Sequence, residues 1–309
     1  MKYSKIIFGI TSCIFLFTNC IADSKLEEKG ILPKGANAEV IVKGLQFTEG
    51  PLWLKDENRL IFSDILANTK YSWTKDEGLK VYEKPSFFAN GNMLDEKGNL
   101  ITARHDRTVV RTTKSGKTEV IADKFKNKKL NSPNDLALYK DGSIYFTDPH
   151  FGLIGYGAKK APEEQPYRGI YRLEPGGELT RVGQELEISN GLSFSPDYKI
   201  LYVSNTADGN IYKYDVLENG QLKNIRLFVV QSIPDGANPM ADGLKVDKKG
   251  NVYAASAFGV SIYSASGDYI GSIKLHSAAS NLNFGEKDNK TLFITAADKV
   301  YKIKTKIGR

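Results

Sequence analysis

The sequence of 309 residues contains only two cysteines, Cys13 and Cys20, and three histidines. Cys13 lies in an amino-terminal segment that we expect to be removed, and Cys20 is expected to be either lipidated or lost. The mature chain is therefore expected to have no disulfide, no thiolate metal site and no cysteine nucleophile. The spacing of the histidines does not form an HxxH metal-binding pair.

A convincing helical period is also absent from the mature chain. A short turn rich in Asp, Asn, Gly and Lys instead recurs six times, about 40 to 55 residues apart, and an apolar strand of period two follows each copy. This spacing matches a four-stranded propeller blade, and a sandwich would not repeat a four-strand unit six times. The sequence therefore predicts an all-β fold, a six-bladed β-propeller. The turns are residues 55–58, 95–98, 140–142, 195–197, 247–250 and 286–289.

Closure of such a propeller needs a strand from one terminus in the blade formed by the other. The segment Glu39 to Val42 is the candidate to pair with the last blade. We expect a single propeller domain over residues 38–309. Residues 23–37, which contain Lys, Glu, Gly and Pro, are expected to form a flexible tether before it.

The amino terminus has the pattern of an export signal. Lys2 and Lys5 precede the uncharged run Ile6 to Thr18, which is too short to span a membrane. Residues 1–22 are thus predicted to be a signal, cleaved either at a lipobox before Cys20 or between Ala22 and Asp23. The lipobox is favoured, although Asn19 is unusual in it. We expect an exported protein, periplasmic or anchored in the bacterial envelope by a lipid on Cys20.

The charge balance gives little indication of a macromolecular partner. The chain has 43 basic and 36 acidic residues, a formal net charge of +7. This excess is spread over the surface turns, which is typical of solvated faces and not of a nucleic-acid site. No nucleic-acid partner is expected, and the sequence leaves the oligomeric state open.

Acidic and amide residues recur where innermost strands of a propeller would open into the central channel. Four of them stand one or two residues ahead of an apolar strand: Glu49, Asn134, Asn190 and Asp242. Asn-Gly and Asp-Gly pairs are also common in turns, so each residue taken singly has a structural explanation. Their common register with the repeat favours an oxygen-only site for a hard divalent cation, Ca²⁺ or Mg²⁺.

At these residues the chain resembles the gluconolactonase, regucalcin (senescence marker protein 30) and lactonase-like family of six-bladed propellers. The likeness is strongest to bacterial gluconolactonases and extends from Glu39 to Lys304. The matching segments are TEGPLW, ANGNMLDEKGNLI, LNSPNDLALYKDGSIYFTDPHFG, ISNGLSFSPDYKILYVSNT, MADGLKVDKKGNVYAA and SNLNFGEKDNKTLFIT.

The resemblance implies hydrolysis of a small-molecule lactone with one bound divalent cation, Ca²⁺ ahead of Mg²⁺, Zn²⁺ or Mn²⁺. It implies that Glu49, Asn190 and Asp242 bind the cation and that Asn134 is a ligand or a substrate contact. Asp242 would be the general base that takes a proton from the attacking water. Ser132 stands where some members carry an arginine, so no preference for charged or sugar-acid lactones follows.

Three further residues are candidates for substrate binding: His105, His150 and Ser132. His105 matches a position in the second blade where gluconolactonases often carry a histidine, and His150 is expected to follow an inner strand. For both histidines, packing at a strand end is the competing interpretation. The insertion from Ile154 to Arg168 is a candidate lid beside His150, and residues 233–240 are expected to fix Asp242.

Two other functions compete with a metal-dependent lactonase. One is a non-catalytic propeller that binds a ligand or partner and uses calcium only to tie its blades together. The other is chemistry like that of strictosidine synthase, which needs no metal shell. The four oxygen-bearing residues argue against the second alternative, and the first stays open.

Overall fold

The structure, a computed structural model, describes residues 22–157, 159–231 and 240–309, which are almost entirely β-strand. The predicted export signal with Cys20, and residues 233–239 of the connection expected to fix Asp242, lie outside these residues. The two helices of the described chain are α1 (Ser24–Glu28) and α2 (Phe151–Ile154), and a 3₁₀ turn spans Lys55–Glu57. Neither helix has the length and apolar character needed to cross a membrane.

The strands of the first half of the chain are β1 (Glu39–Val42), β2 (Thr48–Leu54), β3 (Arg59–Asp64), β4 (Thr69–Thr74), β5 (Gly78–Glu83), β6 (Ala89–Leu94), β7 (Leu100–Arg104), β8 (Thr108–Thr112), β9 (Thr118–Ala122), β10 (Lys124–Phe125), β11 (Lys128–Lys129), β12 (Leu136–Leu138) and β13 (Ile144–Thr147). Those of the second half are β14 (Ile170–Leu173), β15 (Leu179–Gly183), β16 (Ser189–Phe194), β17 (Ile200–Asn205), β18 (Asn210–Val216), β19 (Leu222–Val229), β20 (Leu244–Val246), β21 (Val252–Ser256), β22 (Gly259–Tyr263), β23 (Tyr269–Lys274), β24 (Asn281–Gly285), β25 (Thr291–Ala296) and β26 (Lys299–Lys304).

Six four-stranded antiparallel sheets make up the described fold, and each is one propeller blade. Blades 1 to 5 are β2 to β5, β6 to β9, β12 to β15, β16 to β19 and β20 to β23, each ordered along the chain. Blade 6 has the order β24, β25, β26 and β1. The innermost strands are therefore β2, β6, β12, β16, β20 and β24, and adjacent ones contact each other around the channel. The predicted six-bladed propeller is confirmed.

The predicted closing strand is also found. β1 pairs antiparallel with β26, with Glu39 opposite Lys302 and Val40 opposite Tyr301. The strand from the start of the propeller thus becomes the outermost strand of its last blade. No blade of the described chain is left with a missing fourth strand, which is the usual way in which propellers remove an open edge.

Neighbouring blades pack through large apolar side chains between their faces. At the junction of blades 3 and 4, the rings of Tyr139, Tyr145 and Phe194 have centroids 5.0 to 5.6 Å apart. All three are almost fully buried, and each such burial contributes about 1.5–3 kcal/mol. Rigid packing of this kind holds the innermost strands at fixed positions around the channel.

Residues 23–37, expected to be a flexible tether, are instead packed on the propeller. Asp23 caps helix α1 by accepting a hydrogen bond from the backbone of Lys25 at 3.0 Å. Leu26, Ile31 and Leu32 are at most 2% exposed and belong to the core shared by blades 5 and 6. The tether expectation was wrong because these three apolar side chains, set among charged residues, have a surface of the propeller to cover.

Candidate active site at one end of the channel

Each blade places one acidic or amide side chain at the same position, where its innermost strand starts. We call these six residues the channel ring: Glu49, Asn90, Asn134, Asn190, Asp242 and Asn281. Asp242 is partly buried, and the other five are only 2% to 3% exposed. The structure therefore brings the four predicted residues to one end of the channel and adds Asn90 and Asn281 to them.

Asn90 and Asn281 were missed by the sequence analysis, although their segments carry the same signal as the other four. In ANGNML and SNLNFG an amide residue follows a small residue and leads into an apolar strand, as Glu49 does in TEGPLW. An alignment of all six repeats on this position, instead of on the turns, would have found both.

Backbone contacts between adjacent blades fix the ring. The amide of Gly91 donates to the carbonyl of Asn134 at 2.8 Å, and that of Gly243 donates to Ser280 at 2.7 Å. A Cβ atom at Gly91 would lie 2.5 Å from the Asn134 carbonyl oxygen. Glycine is required at position 91 because the backbones of blades 2 and 3 approach too closely there for a side chain.

The two carboxylates of the ring are held in a buried, polar setting. Glu49 Oε2 accepts hydrogen bonds from the backbone of Gly50 at 2.7 Å and from Asn281 Nδ2 at 2.9 Å. Burial raises the pKa of Glu49 to about 7, and the charge of Asp135 adds to the effect. Burial and the charges of Glu49 and Asp135 likewise raise the pKa of Asp242 well above its ordinary value. Two negative charges are thus held at one place at a cost to both.

Three ring amides, those of Asn90, Asn134 and Asn190, present oxygens without a hydrogen-bond donor in the described chain. Asn190 Nδ2 donates to Thr206 Oγ1 at 2.9 Å, and Thr206 donates to the carbonyl of Ala241 at 2.8 Å. This chain fixes the orientation of the carboxamide and leaves Asn190 Oδ1 buried with no partner in the described structure. Asn134 Oδ1 is buried and unpaired in the same way. Buried acceptors of this kind are uncommon unless a ligand or water completes them.

This donor set fits a hard divalent cation. Two carboxylates whose pKa values are raised and three unpaired amide oxygens are the kind of oxygen ligand that Ca²⁺ and Mg²⁺ take. Within residues 22–157, 159–231 and 240–309, no group of three or more His, Cys, Asp and Glu side chains is placed to hold a metal. The ring contains only two carboxylates, Glu49 and Asp242, and its remaining oxygens are those of amides. A cation there would therefore need amide oxygens, such as those of Asn134 and Asn190, in addition to the two carboxylates.

One step further into the channel lies a buried ion pair that the sequence analysis also missed. Lys245 Nζ is 3.3 Å from Asp135 Oδ2, and the two side chains are 7% and 5% exposed. Lys245 also donates to the carbonyl of Leu244 at 3.0 Å. The pair joins blade 3 to blade 5 across the channel, and the charge of Lys245 partly offsets the rise in the pKa of Glu49.

The polar atoms of His105 and Ser132, which were predicted as substrate contacts, form hydrogen bonds with other groups of the protein. His105 Nδ1 lies 2.7 Å from the carbonyl oxygen of Tyr156, and Nε2 lies 3.2 Å from Asn90 Nδ2. Ser132 Oγ donates to the carbonyl of Pro149 at 2.7 Å and accepts from the amide of Gly152 at 3.0 Å. Both residues are almost fully buried, so their polar atoms hold the loop after β13 and do not line an open pocket.

His150 follows the second strand of blade 3, not an inner strand as expected, because β12 and not β13 is innermost. Its ring stacks on Phe151 with centroids 5.7 Å apart. Burial and the charge of Arg168 lower its pKa, whereas Glu163 acts in the opposite direction. These neighbours place His150 beside the insertion, and a substrate contact by this residue stays a prediction.

The insertion after α2 is tied to the outside of blade 2. Gln165 Nε2 donates to the carbonyls of Phe125 and Lys128 at 3.0 and 2.8 Å, which joins it to the hairpin of β10 and β11. Arg168 pairs with Glu163 at 2.8 Å. The described part of the insertion is therefore bound to the rim of the propeller.

Fold and site together define a class of protein, a six-bladed propeller with an oxygen-rich candidate site at one end of its channel. The chain belongs to the SMP-30/Gluconolactonase/LRE-like family, whose model matches residues 47–298. It is 35% identical to the gluconolactonase of Zymomonas mobilis over 298 residues, which covers 89% of this chain and 83% of that protein.

Solved structures agree with this assignment. A gluconolactonase from Xanthomonas campestris superposes with a TM-score of 0.83 at 31% identity, over 93% of this chain and 94% of that one. A calcium-binding regucalcin from Agrobacterium tumefaciens has a TM-score of 0.73 at 17% identity, over 89% of this chain and 96% of that one. The second likeness bears on the fold alone.

Proposed function

We propose that this protein is a divalent-metal-dependent lactonase of the gluconolactonase type. Its kinship with gluconolactonases supports a lactone-hydrolysing role. The observation that carries the metal dependence is the channel ring, where the buried Glu49 and the partly buried Asp242 belong to one set with the unpaired amide oxygens of Asn90, Asn134 and Asn190. Carboxylates and unpaired amide oxygens gathered in this way are stabilised by a bound cation.

Glu49, Asn190 and Asp242 would hold the cation, and Asn134 would reach it or the substrate. When bound there, a divalent cation supplies Lewis-acid polarisation of the lactone carbonyl. Ca²⁺ suits the oxygen-only set best. Asn281 would keep the carboxylate of Glu49 oriented through the hydrogen bond at 2.9 Å.

Asp242 is proposed to act as general base. Its carboxylate takes a proton from a water whose oxygen bonds to the lactone carbonyl carbon. The ring C–O bond then breaks, and the proton held by Asp242 passes to the leaving alkoxide oxygen. The product is the open hydroxy acid, so one water is consumed and Asp242 returns to its starting state.

A panel of lactones assayed with and without chelator tests this function. Purified protein is expected to open D-glucono-δ-lactone or a related lactone. Treatment with EDTA should abolish the activity, and adding Ca²⁺, Mg²⁺, Mn²⁺ or Zn²⁺ back one at a time should identify the ion that restores it.

The circular dichroism spectrum of the chelated protein serves as control, because loss of activity is informative only if the propeller stays folded. Unchanged turnover by folded, metal-free protein would refute the metal dependence. Protein that binds a cation at the ring but opens no lactone would favour the alternative, a non-catalytic propeller with a structural calcium site.

A further inference from the structure

Tyr156 lies in the loop after α2, next to the channel ring, and sequence analysis gave it no role. Its ring packs edge-on against Phe47, two residues before Glu49, with centroids 5.3 Å apart. It is half-buried, and no hydrogen bond joins its hydroxyl to another residue of the described chain. Burial and the charge of Asp242 both raise its pKa, so the phenol stays protonated near neutral pH.

A chain of hydrogen bonds joins the backbone of Tyr156 to the ring. The carbonyl of Tyr156 can only accept, so His105 Nδ1 must carry the proton in their 2.7 Å contact. Nε2 of the neutral imidazole is then the acceptor for Asn90 Nδ2 at 3.2 Å. Burial lowers the pKa of His105 to about 4, so the imidazole is neutral at pH 7 and carries its single N–H proton on Nδ1.

The loop around Tyr156 is held on its other side by close packing. A Cβ atom at Gly152 would lie 2.7 Å from the Cβ atom of His105 and 2.8 Å from that of Ser132. The amide of Tyr156 also donates to the carbonyl of Phe151 at 3.1 Å. Residues 151–157 therefore form a fixed wall whose only free polar side-chain group is the Tyr156 hydroxyl.

We propose that the Tyr156 hydroxyl binds a hydroxyl substituent of the lactone, and that His105 is the residue that positions it. The inference rests on the proposed function. A small lactone that brings its carbonyl to the buried carboxylates turns its far side towards the loop. There Tyr156 can both donate and accept, which is what a substrate hydroxyl requires. Tyr156 thus determines specificity for hydroxylated over plain lactones.

Substitution Tyr156→Phe removes this hydroxyl and keeps the packing on Phe47. D-Glucono-δ-lactone and δ-valerolactone serve as probes, because both have a six-membered lactone ring and only the first carries hydroxyls. We expect kcat/KM for the first to fall about five- to tenfold, mostly through KM, as for the loss of one hydrogen bond. The value for δ-valerolactone should not change.

Tyr167→Phe is the matched control, since Tyr167 belongs to the same insertion but is 44% exposed and lies over Arg181. It should leave kcat/KM unchanged for both lactones. The positioning role is tested with His105→Leu, which should give the same selective loss, and with His105→Gln, which can still donate to the carbonyl of Tyr156. The double variant His105→Leu/Tyr156→Phe should be no worse than Tyr156→Phe alone.

Equal effects on both lactones, or none on either, in Tyr156→Phe would overturn the inference, even if wild-type protein is an active lactonase. A wild-type protein that opens no lactone would instead refute the proposed function. Should His105→Leu fail to fold, Tyr156→Phe still decides whether the hydroxyl contacts the substrate.

Discussion

The carboxylate of Asp135 and those of the ring residues Glu49 and Asp242 are treated in opposite ways. Asp135 is buried, and the protein supplies its counter-ion, Lys245, at 3.3 Å. Glu49 and Asp242 are placed together, and their nearest polar partners are amides and backbone groups. The deeper group is a closed structural pair, whereas the outer group is left with a net demand for positive charge.

This difference teaches how the chain separates stability from function. A buried carboxylate without a cation costs several kcal/mol or takes up a proton, so a fold normally supplies a partner. In the described chain the protein places Lys245 in direct contact with Asp135, whereas Glu49 feels its charge only from further away and Asp242 has no ion pair. We interpret that omission as the mark of a ligand site, because a built-in lysine there would compete with any bound cation.

The largest expected effect comes from changing the outer group at Asp242. Asp242→Asn keeps an oxygen towards the cation but cannot accept a proton, so turnover should fall by about 10² to 10⁴. Asp242→Ala should lose cation binding as well as turnover. Lactone hydrolysis and calorimetric titration with Ca²⁺ measure the two properties separately.

The exposed Asp268→Asn is the control for these variants and should behave as wild type. Wild-type turnover by Asp242→Asn would mean that another group is the base. Full cation binding by Asp242→Ala would remove this residue from the ligand set.

Variants of the Lys245–Asp135 pair should lower the stability of the fold and not act on the chemical step. Lys245→Met leaves Asp135 buried without its counter-ion, and we expect the free energy of unfolding to fall by about 3–5 kcal/mol. Adding Asp135→Asn to this variant should recover most of the loss, because the charge is then removed as well. Urea denaturation measures both.

Lys80→Met provides the surface comparison. Lys80 pairs with Glu77 at 2.8 Å, but the two side chains are 54% and 45% exposed, so a loss below about 1 kcal/mol is expected. A loss as small as this in Lys245→Met would contradict the structural role of the buried pair.

A third buried acid, Asp148, extends the comparison, and its expected effect on the free energy of unfolding is smaller. Its Oδ2 accepts from the backbone of Asn131 at 2.7 Å, Oδ1 has no partner in the described chain, and burial raises its pKa to about 8 from 3.8. The folded protein thus keeps a proton that the unfolded chain releases. The stability that this proton contributes is complete below about pH 4 and is lost as the pH rises through about 8.

Between pH 7 and 9 this group should cost wild-type protein about 1 kcal/mol of unfolding free energy, by linkage. Asp148→Asn should remove that part of the pH dependence, which denaturation curves at both pH values can measure. Asp56→Asn, whose side chain is 85% exposed, should not. Parallel curves for wild type and Asp148→Asn would show that Asp148 is ionised in the folded state throughout this range.

The propeller and most of the ring could be predicted because both repeat. Six copies of one turn and strand pattern predict the fold. Glu49 and Asp242 carry a charge at the position where the other repeats have an asparagine. Asn90 and Asn281 have the same signal and were missed because the repeats were compared at their turns and not at this position.

The loop contacts could not be predicted, because their partners are far apart in sequence and have no common pattern. His105 pairs with the carbonyl of Tyr156, 51 residues away, and a carbonyl leaves no mark in the sequence. Ser132 holds Gly152 in the same way, 20 residues away. Leu26 and Leu32 were assigned to a tether because their packing surface is formed by blades 5 and 6, more than 200 residues later.

The pairing of β1 with β26 imposes an order in time on the making of the protein. A ribosome releases β1 first, yet its partner is the last strand to emerge, and the sequence between them is the whole propeller. Blades 1 to 5 can form as they appear, but the ring of blades cannot close until synthesis is complete. Any growing chain therefore carries an unpaired strand at its start, which is open to wrong partners for as long as translation lasts.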